Sequence, residues 1–228
     1  MATRPTMESA TELQQAFDHF NAVLFDGQLP PCLITLQRKA GCFGYFSRDR
    51  FVHVDGIKTD EIAMNPEFFA AFPVIEIFQT MVHEMVHMWQ AHFGKPSKRT
   101  YHNQEWADKM ESLGLMPSST GKPGGKRTGE KMADYAIPGG RFLLACDQLM
   151  TADFKVSWYD RFPVKRPAGE DGADLPIDVE LLAESTGEKP NRSNRVKYRC
   201  DDCGAQLWGK PGLNVVCGDC DTAFEVAA

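Results

Sequence analysis

Large apolar residues recur near the start of the chain at the spacing of a helix. Leu13, Phe17, Phe20 and Leu24 lie three or four apart, so residues 9–25 are predicted to form an amphipathic helix ending before Asp26-Gly27. CLITLQ (32–37) has the composition of a strand. GYFSRDRFVHVDG (44–56) reads as two short β runs around Arg48-Asp49-Arg50, which predicts a hairpin there. Residues 73–93 are predicted as a long helix, stopped by Gly94 with Pro96 two residues beyond. A second helix fits 103–114, where His102, Trp106, Met110 and Leu113 share a stripe and Gly114 can close it.

Beyond residue 116 the pattern changes. PSSTGKPGGKRTGEKMADY (117–135) is rich in Gly, Ser and Lys with almost no large apolar residue, and is predicted as a flexible linker. FLLACDQLM and FKVSWYDRF, within 136–162, regain apolar character and suggest a small β or α/β extension; polar sequence follows. The predicted organisation is a first domain at 1–116, a linker at 117–135, an extension with a polar linker at 136–188, and a final module at 189–228.

Composition narrows the class. At 228 residues, with 43% apolar and 25% charged residues, the chain suits one globular core plus a smaller module. The most apolar segment, 73–93, is interrupted by Glu76, His83, Glu84 and His87, which excludes it as a membrane span. MATRPTMESATELQQ has no apolar run, so it reads as no secretory signal and the expected setting is cytoplasmic. The formal net charge is −6, with acidic residues in excess in the first 116 residues. A nucleic-acid surface on this chain must therefore be a local patch.

The long helix carries the chemistry. In MVHEMVHMWQ (81–90), His83 and His87 are four apart and so share one helical face, with Glu84 turned about 100° away. A core helix with satisfied histidines is the plain alternative. Against it, Glu76, Thr80, His83, His87 and Gln90 form a polar stripe, and a buried Glu84 carboxylate would need a partner. Catalytic zinc takes three protein ligands and leaves a fourth position open. His102, separated from His87 by fourteen residues and placed at the start of the next helix, is the best-placed third ligand; His92, His19 and His53 are worse placed. Tyr101 is a candidate oxyanion donor beside it, or a packing aromatic.

The cysteines form a second constellation. Cys200-x2-Cys203, thirteen residues, then Cys217-x2-Cys220 is a structural-zinc spacing, with AQLWGKPGLNVV between the pairs reading as two strands around Gly209–Gly212. Two disulfides are the competing reading, discounted without a secretory signal. Cys32, Cys42 and Cys146 are scattered and expected as free thiols. Lys189, Arg192, Arg195, Lys197 and Arg199, with Tyr198 and Trp208, interleave cations and aromatics as single-stranded nucleic acid requires, or form a solvated basic run. Lys122, Lys126, Arg127 and Lys131 make a weaker second patch.

HEMVH followed by HNQEWADKMESLGL resembles the SprT-like (SprT/Spartan) zinc metallopeptidases, and FDGQLPPCLITLQR leading into GCFGYF is similar to that family's N-terminal half. The resemblance covers about residues 8–116, and a four-cysteine ribbon of the kind found in bacterial members extends it to 197–221. His102-Asn103 departs from the His-Gly of many relatives. The resemblance implies an α+β fold, a zincin-like metallopeptidase domain with a small C-terminal β zinc ribbon. It implies a zinc-dependent endopeptidase acting on DNA-associated or DNA-crosslinked proteins, in the cytoplasm and at the nucleoid in a bacterium. His83, His87 and His102 would hold a catalytic Zn2+ with Glu84 as general base, and Cys200, Cys203, Cys217 and Cys220 a structural Zn2+. DNA, single-stranded or containing single-stranded regions, would be the second partner, reached through the ribbon. Two other classes stay open: a general cytoplasmic zinc peptidase without DNA dependence, and a non-catalytic zinc protein that binds nucleic acid.

Overall fold

The apolar stripe of the first helix and the broad apolar side of the long central helix meet in one core. The structure, a computed structural model, describes residues 4–98, 101–151, 154–165, 177 and 195–227. The chain divides into two compact units, Met1–Ala183 and Glu184–Ala228.

In the first unit, α1 (Pro5–Phe25) ends where Asp26 turns left-handed at φ 57°. It buries Leu13, Phe17, Phe20 and Leu24, as the sequence pattern predicts. The Phe20 ring meets Phe78 edge-on at 5.3 Å and stacks on Phe142 at 6.1 Å. Phe78 belongs to α2 (Val74–Phe93), which ends at Gly94, and α3 (Gln104–Leu113) follows. Asn103 caps α3, its Oδ1 accepting from the Trp106 N–H at 3.0 Å, and Gly114 closes it at φ 94°.

A mixed three-stranded sheet lies beside α2. It comprises β1 (Cys32–Leu36), β2 (Gly44–Val52) and β3 (Lys58–Met64) in the order β1-β3-β2, with β1 parallel and β2 antiparallel to β3. The hairpin expected around Arg48-Asp49-Arg50 is displaced. These residues form a bulge within β2, and the chain reverses at 53–57, where the His53 N–H bonds the Ile57 carbonyl at 2.7 Å. The reason is local: Asp49 takes φ 51° and donates its N–H to the buried Asp60 carboxylate at 2.8 Å, so the extra residue satisfies a charge instead of making a turn.

The segment expected as a linker at 117–135 is folded into the first unit. β4 (Leu115–Ser118) and β5 (Ala133–Ala136) pair antiparallel, with Leu115 opposite Ala136. The intervening loop lacks apolar anchors but has polar ones. The Ser119 N–H reaches the Lys126 carbonyl at 2.8 Å, Ser118 Oγ the Lys122 carbonyl at 2.5 Å, and Arg127 pairs with Asp108 and Glu111. The extension contains a helix, α4 (Arg141–Met150), whose Phe142, Ala145, Cys146 and Leu149 join the same core. The first domain therefore continues beyond residue 116.

The second unit is a small sheet in the order β7-β6-β8, formed by β6 (Val196–Arg199), β7 (Gln206–Gly209) and β8 (Glu225–Val226), with both partners antiparallel to β6. The second strand expected after Gly212 is reduced to an isolated bridge between Val216 and Ala223. Among the described residues the molecule is mixed α/β, with four α-helices and three small sheets. No helix among them is long and apolar enough to cross a membrane.

The core makes a quantitative prediction. Phe20→Ala should cost about 3–5 kcal/mol, because a fully buried ring between two others leaves a cavity. The check is a fall in the urea midpoint at unchanged slope. A loss under about 1 kcal/mol would mean that the ring is not packed as described.

Candidate functional site

α2 presents His83 and His87 toward the last residues of the α2–α3 connection and Glu84 toward β2. The apolar residues around them (Met81, Val82, Met85, Val86, Met88) are fully buried, which fixes the helix's rotation. His102 arrives from the far side. It sits just before α3, bridged to Gly129 by main-chain bonds of 2.8 and 3.1 Å. Trp106, one turn into α3, lies under the three imidazoles, 4.4 to 5.5 Å from each ring centre.

The three rings converge. Their centroids are 4.7 to 5.4 Å apart, and one nitrogen from each falls within 4.8 Å of the others. Which nitrogens converge follows from hydrogen bonds. His83 Nδ1 lies 2.8 Å from Asp134 Oδ2, and His102 Nδ1 lies 3.1 Å from the Gly129 carbonyl. Both partners accept, so both Nδ1 atoms donate and both Nε2 atoms carry lone pairs. His87 Nε2 faces His102 Nε2 at 3.1 Å. For comparison, two nitrogens on a tetrahedral zinc with bonds of 2.0–2.1 Å are roughly 3.3 Å apart.

The electrostatics divide the three histidines: His87 and His102 are held in the neutral form, whereas His83 and Glu84 both bind protons more tightly than usual. Burial, with His83 nearby, pushes His87 well below its ordinary value and His102 down to about 4. Burial would also lower His83, but the Asp134 hydrogen bond, with the Glu84 and Asp134 charges, more than offsets it and raises the group. Burial raises the Glu84 carboxyl, and the Asp134 charge adds to this, while His83, the Phe46 backbone N–H and Lys39 oppose. Gly44 lets β2 approach: a Cβ there would lie 2.9 Å from both the Ala63 carbonyl and the Thr80 methyl, and 3.5 Å from Glu84 Cγ.

The donor set fits a divalent cation. Three imidazoles each bring one nitrogen within 4.8 Å of the others, and the buried Asp134 has a second oxygen, Oδ1, without a hydrogen-bond partner. Asn103, the departure from His-Gly, earns its place by geometry. It caps α3, accepts from Gln90 Nε2 at 2.7 Å and donates to the Lys95 carbonyl at 3.0 Å, tying α2's end to the turn that delivers His102. Tyr101 is 43% exposed beside His102. Sequence reasoning missed Asp134 and Gly129, because both lie in the stretch that composition marks as a linker.

The second unit holds the four cysteines in two matching knuckles. The Cys200 N–H bonds the Ala205 carbonyl at 2.9 Å and the Cys217 N–H the Thr222 carbonyl at 2.8 Å, each turn passing through a left-handed residue, Gly204 and Asp221. Their sulfurs lie within 4.8 Å of one another, and Cys203 and Cys217 Sγ are 3.6 Å apart, too far for a disulfide. Backbone N–H groups of Asp219 and Cys220 lower Cys217, whereas hydrogen bonding with Cys203 pushes Cys220 up to about 12. Four cysteine sulfurs this close form a candidate metal-binding group.

The candidate nucleic-acid residues separate. Lys189 and Arg192 lie outside the described residues, and Arg195 is exposed. Tyr198, expected to be exposed, is buried: its hydroxyl donates to the Lys210 carbonyl at 2.7 Å and accepts from the Leu213 N–H at 3.0 Å. It pins a loop and is not available for base stacking. Lys197 and Trp208 are cross-strand partners, with Nζ 5.9 Å from the ring centre, and Trp208 is 60% exposed. Arg199, two residues along β6, is on the same face and exposed.

The model of the SprT-like family matches residues 13–123, a span that contains His83, Glu84, His87 and His102. A protein of Salmonella typhimurium described as an uncharacterized protein in the mucB 3'region is 54% identical over 59 residues, which are 25% of this chain and 80% of that protein. No solved structure matches the chain. With the matched span enclosing the whole His83–His87–His102 cluster, the chain belongs to the SprT-like family.

Proposed function

We propose that the chain is a zinc-dependent endopeptidase of zincin-like fold that acts on DNA-associated or DNA-crosslinked proteins. The observation that carries the peptidase reading is the convergence of His83, His87 and His102 next to a buried glutamate on the same helix. The three imidazoles would hold the ion, which when bound supplies Lewis acidity to a water molecule and to the scissile carbonyl. Glu84 follows His83 directly and is held by the Phe46 backbone N–H, so it remains beside the ligands without joining them. Its raised affinity for protons suits a general base: it takes the proton of the attacking water and passes it to the leaving amine. β2 is an edge strand that lies against α2 at Gly44, so an extended peptide can pair along it and run past Glu84.

The DNA part of the reading rests on the second unit. Lys197, Arg199 and Trp208 share one sheet face, where cations can follow phosphates and a ring can stack on a base. Lys189, Arg192 and Arg195 precede it in sequence. The cysteine cluster would hold a second, structural zinc in the same unit, and the cytoplasmic setting follows from the same reading. Glu225, opposite Arg199, weakens the patch and keeps the DNA-independent peptidase as the alternative.

Three outcomes test these statements. Elemental analysis of the folded wild type should give two zinc ions per chain, His83→Ala losing one and Cys200→Ser the other; a single zinc in the wild type contradicts the two-site reading. Glu84→Gln should keep both ions and the fold but cut peptide-bond cleavage by roughly 10²–10⁴-fold, the usual contribution of a positioned base. Near wild-type cleavage by that variant would remove Glu84 from the role. Trp208→Ala should weaken binding to single-stranded DNA by about 1–3 kcal/mol, and neutralising Lys197 and Arg199 should flatten the salt dependence by roughly 0.7 per contact. Unchanged affinity and slope would favour the DNA-independent alternative.

A further inference from the structure

We infer that Asp134, assisted by the main chain of Gly129, is the positioning residue of the His83–His87–His102 centre and sets its affinity for a divalent cation. The inference rests on the metal-site reading above but not on proteolysis. Asp134 stands on β5, with its side chain only 5% exposed and Oδ2 2.8 Å from His83 Nδ1. A carboxylate at that distance accepts the Nδ1 proton and leaves Nε2 as the bare donor atom, turned into the cluster. The same residue is tied to the helix twice. Its main-chain carbonyl accepts from Gln79 Nε2 at 2.8 Å, and Gln79 lies one turn before His83 on α2. Side chain and main chain thus clamp β5 along the turn of helix that begins the motif.

Gly129 does the same for His102 without a side chain. Its carbonyl takes both the His102 main-chain N–H, at 2.8 Å, and Nδ1, at 3.1 Å. The excursion between β4 and β5 therefore orients two of the three ligands, and Arg127 holds it against α3 through Asp108 and Glu111.

The charge arrangement says why Asp134 should govern affinity as well as orientation. Its Oδ1 has no hydrogen-bond partner and is inaccessible to solvent, so within the protein the buried negative charge leans on His83. A cation on the opposite nitrogen makes the Nδ1–H a stronger donor and compensates that charge through the ring. Asparagine at 134 keeps the shape and can still accept, but removes the charge.

The test uses the full chain with its cysteine cluster intact as internal control. In chelator competition, Asp134→Asn should bind zinc at the histidine centre about 10–100-fold more weakly than wild type, while the cysteine site is unchanged. The visible spectrum of cobalt at the histidine centre should shift, and the denaturation midpoint of the metal-free variant should be equal to or above that of the wild type. Unchanged histidine-site affinity and cobalt spectrum, or an equal loss at both sites, would overturn the inference. A second measurement needs no variant. Long-range 1H–15N spectra of the wild type should show His83 and His102 as Nδ1–H tautomers before and after zinc; an Nε2–H tautomer at His83 would also overturn it. A protein that passes these tests yet cleaves no substrate leaves the inference standing and removes the peptidase reading.

Discussion

Ionisable side chains on the buried length of a helix survive only where each has a partner, and that requirement organises the first unit. α2 is surrounded by apolar contacts, yet it carries His83, Glu84 and His87 in its middle. The fold answers each in turn. β5 brings Asp134 to His83, the turn before α3 brings His102 to His87, and β2 brings the Phe46 N–H to Glu84. Three separate pieces of chain are thus recruited to one helix, and the shape of the domain is largely the record of how they get there. The same requirement operates a short distance away, where buried Asp60 meets His92 at 2.6 Å and takes the Asp49 N–H, bending β2.

The helices were the most legible part of the sequence. Leu13, Phe17, Phe20 and Leu24 define α1 by spacing, and Gly94 and Gly114 mark ends that the structure keeps. The histidine cluster was legible for the same reason, since helical spacing places His83 and His87 together and the chain length allows His102 to return. What composition concealed was structure held by polar contacts. The stretch 117–135 lacks large apolar residues, so it reads as a linker. Its order comes instead from Ser118, Ser119, Arg127 and the pairing of Gly129 with His102. Asp134 carries no local signature, because its meaning depends on a histidine 51 residues earlier in the chain. Tyr198 failed in the opposite direction: an aromatic beside basic residues suggested a binding face, whereas strand alternation turns it inward and Trp208 outward.

The two candidate metal-binding clusters illustrate different uses of similar chemistry. The cysteines come from two short, equivalent knuckles, local in sequence and complete with four ligands, as a site that builds structure requires. The histidines come from distant elements, number three, and adjoin a base, as a site that leaves room for a reacting molecule requires. The division supports a catalytic first unit and a recruiting second unit. The claim at the centre of this account is that the histidine cluster is the seat of peptide-bond hydrolysis. Its most direct test is cleavage of an unfolded protein substrate by the full chain in the presence of single-stranded DNA, before chelation, after it, and after stoichiometric zinc is returned. Cleavage should disappear with the metal and recover with it. Cleavage that persists in metal-free protein, or none at all from protein shown to hold both ions, would contradict the claim.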